Sequence, residues 1–169
     1  MNCKALLICE KVIIDKEGAH SLINIMLNAS IKLQETVPGA LPRDIDIPSN
    51  TVAPNQWWIY TLWEPSVEDV GQSFVQIYEI YWPNGEKLTA NKLELRFVQE
   101  NDKLQQSSFF VAGFPIGQQG KVKVVTWLES PSGVTKTGKL ENYVRIEHLT
   151  GKSEPKISPL YSTSFTRTQ

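Results

Sequence analysis

Histidine and cysteine are the side chains most versatile in chemistry, and this chain carries two of each: His20 and His148, Cys3 and Cys9. A structural zinc site takes four nitrogen or sulfur ligands, usually in close-spaced pairs. These four residues show no such spacing. On one strand Cys3 and Cys9 would stand about 20 Å apart, too far to bridge each other. A hydrolase triad would have to recruit one of the two histidines, and no Gly-x-Ser-x-Gly elbow exists to present a serine. Asp44 and Asp46 in one loop, with Glu64, Glu68 and Asp69 in another, could gather at one end of a sandwich. Calcium wants six to eight oxygens, and no loop here has a recognisable calcium spacing. Gly113, Gly117 and Gly120 match neither a dinucleotide fingerprint nor a P-loop. They read instead as strand breakers around a bulge or corner. The expectation is a protein with no catalytic residues, no metal and no cofactor.

Aromatic residues are the second candidate chemistry. Trp57, Trp58, Trp63 and Trp82 could stack on sugar rings or bases, or they could fill a core and an interface. Alternation along a strand sends Trp57 and Trp58 to opposite faces, so they cannot form one flat platform. Core or subunit interface is therefore the favoured reading. The candidate ligand or partner contacts are Trp58, Tyr60, Tyr81 and Trp82.

The elements that must position these residues read as strands. Residues 74–97 hold two β-rich runs around Pro83-Asn84-Gly85-Glu86. Asn-Gly at such a place signals a hairpin with a type I′ turn. Ala5–Ile14 and a second run through residues 20–31 flank Asp15-Lys16-Glu17-Gly18 as a long first hairpin. The second run carries Leu22 and Met26 on one face and Ile23, Ile25 and Leu27 on the other, which predicts a strand covered on both sides. Gln56–Trp63 reads as a strand with Trp57, Ile59, Thr61 and Trp63 on one face and Trp58, Tyr60 and Leu62 on the other. On the return strand of the central hairpin, Leu93, Leu95 and Phe97 point inward, and Glu94 and Arg96 outward. Further strands are expected at Ser107–Ala112, at residues 121–129 and within residues 134–148. About eight strands and no long helix predict an all-β fold, an antiparallel two-sheet sandwich. The expected domain spans residues 1–150, with a Pro-rich loop at 34–55 and a flexible tail at 151–169.

Composition fits this picture. The chain of 169 residues is 41% hydrophobic and 21% charged, which suits one soluble domain. Its net charge is −1, with residues 135–169 at +3 and the remainder at −4. A duplex-binding protein usually shows a strongly basic face or a high pI, so a nucleic-acid partner is not expected. The first residues lack the length of a membrane span and the cleavage site of a signal peptide. With two cysteines and no disulfide framework, a reducing, cytoplasmic location is expected.

Three stretches resemble a family of small uncharacterised bacterial proteins with an immunoglobulin-like sandwich. They are ALLICEKVIIDKEGAHSLINI, FVQIYEIYWPNGEKL and FPIGQQGKVKVVTWLES. The resemblance implies the fold; the family brings no established activity.

A two-layer sandwich buries one face of each sheet. Surplus Trp, Tyr and Ile on the second faces then point to an interface. The leading expectation is a non-enzymatic protein that binds another protein, or a second copy of itself in a homo-oligomer. The rival readings are a carbohydrate or small-ligand module using Trp58, Tyr60 or Trp82, and a hydrolase on a jelly-roll-like scaffold.

Overall fold

The computed structural model describes residues 1–35, 43–97, 104–149 and 162–163. The chain is an all-β sandwich of two sheets. The strands are β1 (Asn2–Ile14), β2 (His20–Ile25), β3 (Asn28–Lys32), β4 (Gln34–Glu35), β5 (Arg43–Asp44), β6 (Val52–Glu64), β7 (Ser73–Tyr81), β8 (Lys87–Arg96), β9 (Gln105–Pro115), β10 (Gly120–Glu129), β11 (Leu140–Leu149) and β12 (Ser162–Thr163). One sheet runs β2-β1-β6-β9. The other runs β3-β11-β10-β7-β8, with the two-residue β12 beside β3. β4 and β5 form a small separate pair. Most of the expected Pro-rich loop is thus bracketed by β4, β5 and an early start of β6. Residues 36–42, and the expected tail apart from 162–163, lie outside the described residues.

Three local expectations are corrected. The second apolar run is two strands: β2 belongs to the first sheet and β3 to the second, where it pairs parallel with β11. Its apolar residues alternate on both faces because the chain changes sheets at Met26–Leu27. The sandwich is therefore not purely antiparallel. The central hairpin is present, but its turn is not type I′. Gly85 N–H donates to Trp82 C=O (2.9 Å), so Pro83 and Asn84 are the central residues. Pro83 fixes a negative φ at the first of them, and Gly85, at φ 89°, takes the left-handed position that follows. This is the longer hairpin loop in which a type I turn is closed by a left-handed glycine. The first turn behaves as expected, with Asp15 Oδ1 accepting from the N–H groups of Glu17 and Ala19 (both 2.8 Å).

The inward faces follow the alternation. Trp57, Ile59 and Val111 of one sheet meet Tyr78, Ile80, Val122, Val124, Val144 and Ile146 of the other. Toward one end Trp63, Phe74, Phe97 and Leu128 make a second cluster.

Between these clusters lies a buried polar knot. Gln76 Nε2 donates to Thr61 Oγ1 (2.9 Å) and to Thr126 Oγ1 (3.0 Å). Ser107 Oγ donates to Gln76 Oε1 (2.7 Å), and Trp63 Nε1 donates to Thr61 Oγ1 (3.1 Å). One assignment satisfies every donor. Thr61 then gives its hydroxyl proton to Ser107 Oγ (2.6 Å), and Thr126 gives its own to Ile77 C=O (2.9 Å). Tyr78 O–H points to Ser107 Oγ (3.2 Å); burial pushes this phenol up to about 12, so it stays neutral. The knot joins β6 and β9 of one sheet to β7 and β10 of the other.

Candidate functional site: the outer face of the four-stranded sheet

Each sheet has an outer face, and the two differ. On the larger sheet, the outward residues of β7 and β10 include Ile77, Val125 and Trp127, with Val75 and Tyr81 packed against them. They are nevertheless only 5%, 2% and 7% exposed. Their cover comes in part from long charged side chains. Lys139 Nζ lies 4.3 Å from the Trp127 ring centroid, and Lys123 Nζ 4.7 Å from that of Tyr81. Lysine stems lie on apolar surface while their ammonium groups stay in water, and the ring faces attract the cations. Carboxylates complete the pattern: Tyr81 O–H and Lys87 both bond Glu79, Tyr143 O–H bonds Glu141 (2.6 Å), and Trp127 Nε1 bonds Glu129 (2.8 Å).

Glu79 gives this face a pH signature. Burial raises the carboxyl, but the hydrogen bonds from Lys87 and Tyr81 outweigh it and hold Glu79 below its ordinary value of 4.5. A carboxylate depressed in the folded state contributes stability above its unfolded value and loses it as pH falls through the folded value. The expected result is that Glu79→Gln lowers the urea midpoint at pH 7. The gap between variant and wild type should then close as the titration is repeated below pH 4.5 toward more acid solution.

The four-stranded sheet is different. Cross-strand register places Ile25 opposite Cys9, Cys9 opposite Trp58, and Trp58 opposite Phe110. These four residues form one row across all four strands, and none is charged. Trp58 and Phe110 meet edge to face, with centroids 5.4 Å apart. Beside the row, Leu7 pairs with Tyr60, and Lys11 pairs with Ile23. Ile25 is 43% exposed, and Ile23 and Phe110 are each 39% exposed. Among the described residues no lysine ammonium lies over the Trp58 or Phe110 ring. Cys9 sits fully buried in the middle of the row, and burial pushes its thiol up to about 11.

The sequence-derived candidates separate accordingly. Trp58 lies half-buried in the open row. Tyr60 is on the same face, but His20 stands edge-on against its ring (5.7 Å) and its O–H donates to Gln106 Oε1 (3.1 Å). Tyr81 lies on the outer face of the other sheet under lysines. Trp82 is 7% exposed at the mouth of the central hairpin, where its N–H donates to Glu86 C=O (2.8 Å). The structure therefore brings Trp58 and Tyr60 together and leaves Tyr81 and Trp82 on the other sheet. It adds Phe110, Ile25 and Ile23 to the site. The signal for Phe110 was the Phe109-Phe110 pair, whose two rings must point to opposite faces.

A cleft adjoins the row. β1 and β6 pair up to Cys9 and Trp58, then part. Past that point Glu10–Val12 and Asn55–Trp57 border an opening of about 570 Å³, with Met26, Ala29 and Phe114 also among its walls. Trp57 and Trp58 face it from the two sides of β6. Glu10 there accepts from Asn24 Nδ2 (2.7 Å), and Asn24 holds a left-handed φ of 53°.

The histidines do not converge. His20 packs on Tyr60, and His148 Nε2 lies 2.6 Å from Ile116 C=O. Among the described residues no three of His, Cys, Asp and Glu gather closely enough to hold a metal ion, and no helix is long and apolar enough to cross a membrane. No protein-family model and no curated protein matches the chain.

Proposed function

We propose that this chain works by binding another protein, without catalysis, through the outer face of its four-stranded sheet. The observation that carries the reading is the uncharged row Ile25–Cys9–Trp58–Phe110, exposed at both ends and crossing every strand of that sheet. Protein interfaces have apolar, aromatic centres with few charges, and an open apolar patch on a soluble domain marks an interaction site. The larger sheet offers a contrast inside the same molecule, because Tyr81 and Trp127 on its outer face lie under the chain's own lysines. A nucleic-acid partner does not belong to this reading, since Glu79, Glu129 and Glu141 stand among those lysines. A cytoplasmic setting does belong to it, supported by two free, buried or half-buried thiols. The local resemblance to an immunoglobulin-like family agrees with the two-sheet architecture and adds no activity.

The test is photo-crosslinking from the face. A photoreactive residue in place of Phe110 should give a discrete protein adduct in cells that make the protein. The same residue at Tyr143, on the other sheet, should give none. Equal labelling from both positions would count against the proposal.

The cleft between β1 and β6 favours a second reading, a small-ligand module. Its walls join Trp57, Trp58 and Phe114 with the polar Asn55 and Gln56, the usual make-up of a ligand pocket.

A further inference from the structure

We propose that β9 is an open edge through which two copies of this chain pair, antiparallel and about a two-fold axis at Phe110. The inference rests on the protein-binding reading and names its partner as a second copy.

An edge strand exposes a row of unpaired N–H and C=O groups, a ready template for another strand. Proteins guard such edges with charge, irregularity, short length or a cover. The sandwich edges can be compared on this basis. β8 ends the larger sheet and carries Lys87, Lys92, Glu94 and Arg96, all exposed. At the other end of that sheet, β3 is bordered by β12. β2 ends the smaller sheet; it has six residues and is interrupted by Asn24 at φ 53°. Among the described residues, β9 has none of these guards from Gln105 to Ala112; only past that stretch do Gly113, at φ 87°, and Pro115 interrupt it. It is eleven residues long, QQSSFFVAGFP, with no charged residue, and among the described residues it pairs only with β6. Its register with β6 runs unbroken from Gln105 to Ala112.

The sequence of β9 also suits its own copy. At a two-fold axis the central residue meets itself, and residues equally spaced from it meet each other. A charge near the axis would therefore face a like charge. Pairing about Phe110 keeps to the regular residues 108–112 and opposes Ser108 to the partner's Ala112. Directly opposed residues point to the same face of a sheet, so Phe110 would lie beside the partner's Phe110. The apolar row Ile25–Cys9–Trp58–Phe110 would then continue across the axis into the second copy. Such a contact uses both β9 edges and closes the assembly at two chains.

Sedimentation velocity across the micromolar range tests this. Wild type should be a dimer. Phe110→Lys and Phe110→Glu should each raise the dissociation constant at least about tenfold, because like charges meet at the axis. An equal mixture of the two variants should restore a dimer, because opposite charges then meet. Ala112→Lys, at an exposed position, should also weaken pairing if either Phe110 variant folds poorly. Ile25→Lys, at the far end of the row, should leave the dimer intact. A monomeric wild type, a dimer unaffected by Phe110→Lys, no recovery in the mixture, or assemblies of indefinite size would each overturn the proposal. A monomer that still forms an adduct with a different protein from position 110 would overturn the edge pairing and leave the protein-binding reading standing.

Discussion

Replacing Gln76 with leucine is expected to lower the unfolding free energy by about 3–5 kcal/mol, because a buried polar group left without a partner costs about 1–3 kcal/mol. Gln76 is fully buried and is the one residue that bonds Thr61, Ser107 and Thr126 together. Leucine fills much of the same volume, so the loss is not chiefly a cavity. It strands the Ser107 hydroxyl and removes the donor to Thr126. Networks of this kind are worth more complete than in parts. Urea denaturation reads the loss directly, and the melting temperature should fall by about 10 °C. A Gln76→Leu variant as stable as wild type would mean that the knot can rearrange within the core.

Trp57→Ala should cost a similar amount, about 3–5 kcal/mol, through a different mechanism. Trp57 is buried on the inner face of β6 and lies edge-on to Phe114, with centroids 5.6 Å apart. Its Nε1 donates to Gly113 C=O (2.8 Å). Alanine leaves a large cavity and frees that carbonyl at the one point where β9 bends, Gly113 at φ 87°. A side chain cannot easily be added there in compensation, because a Cβ on Gly113 would stand 2.5 Å from Val52 Cγ1. Trp57→Phe keeps most of the packing and should lose clearly less. The comparison by urea denaturation separates cavity from hydrogen bond. Trp58→Ala, one residue along but on the outer face, should cost less than Trp57→Ala. That contrast checks the assignment of the two tryptophans to opposite faces.

Much of the sandwich is legible in residue order. Alternation alone puts Trp57, Ile59, Thr61 and Trp63 on one face and Trp58, Tyr60 and Leu62 on the other, and the structure turns the first set inward. Glu94 and Arg96 are exposed, while Phe97 is buried, for the same reason. The misreadings arise where two local signals compete. Asn-Gly suggested a type I′ turn, but the preceding Pro83 fixes φ and moves the left-handed position to Gly85. Continuous apolar character suggested one strand through residues 20–31, but a chain crossing between sheets also stays apolar at every step. The knot was half visible, because Thr61 fell on one face with Trp57, Ile59 and Trp63; Gln76 ties it to Ser107 and Thr126.

The open and covered outer faces are not legible locally. Tyr81 and Trp58 look alike in sequence, each an aromatic among apolar strand residues. What separates them is their neighbours across the sheet. Tyr81 lies opposite Lys87 and Lys123, whereas Trp58 lies opposite Cys9 and Phe110. Those partners come from strands distant in sequence, so only the register reveals which rings are covered.

That difference between the two outer faces decides which of them binds a partner. Photo-crosslinking from Phe110 on one sheet and from Tyr143 on the other measures it directly. The predicted result is one discrete protein adduct from position 110 that is absent from 143, with the crosslinked peptide identified by mass spectrometry. Adducts arising from position 143 alone would contradict the account and move the binding surface to the lysine-covered face.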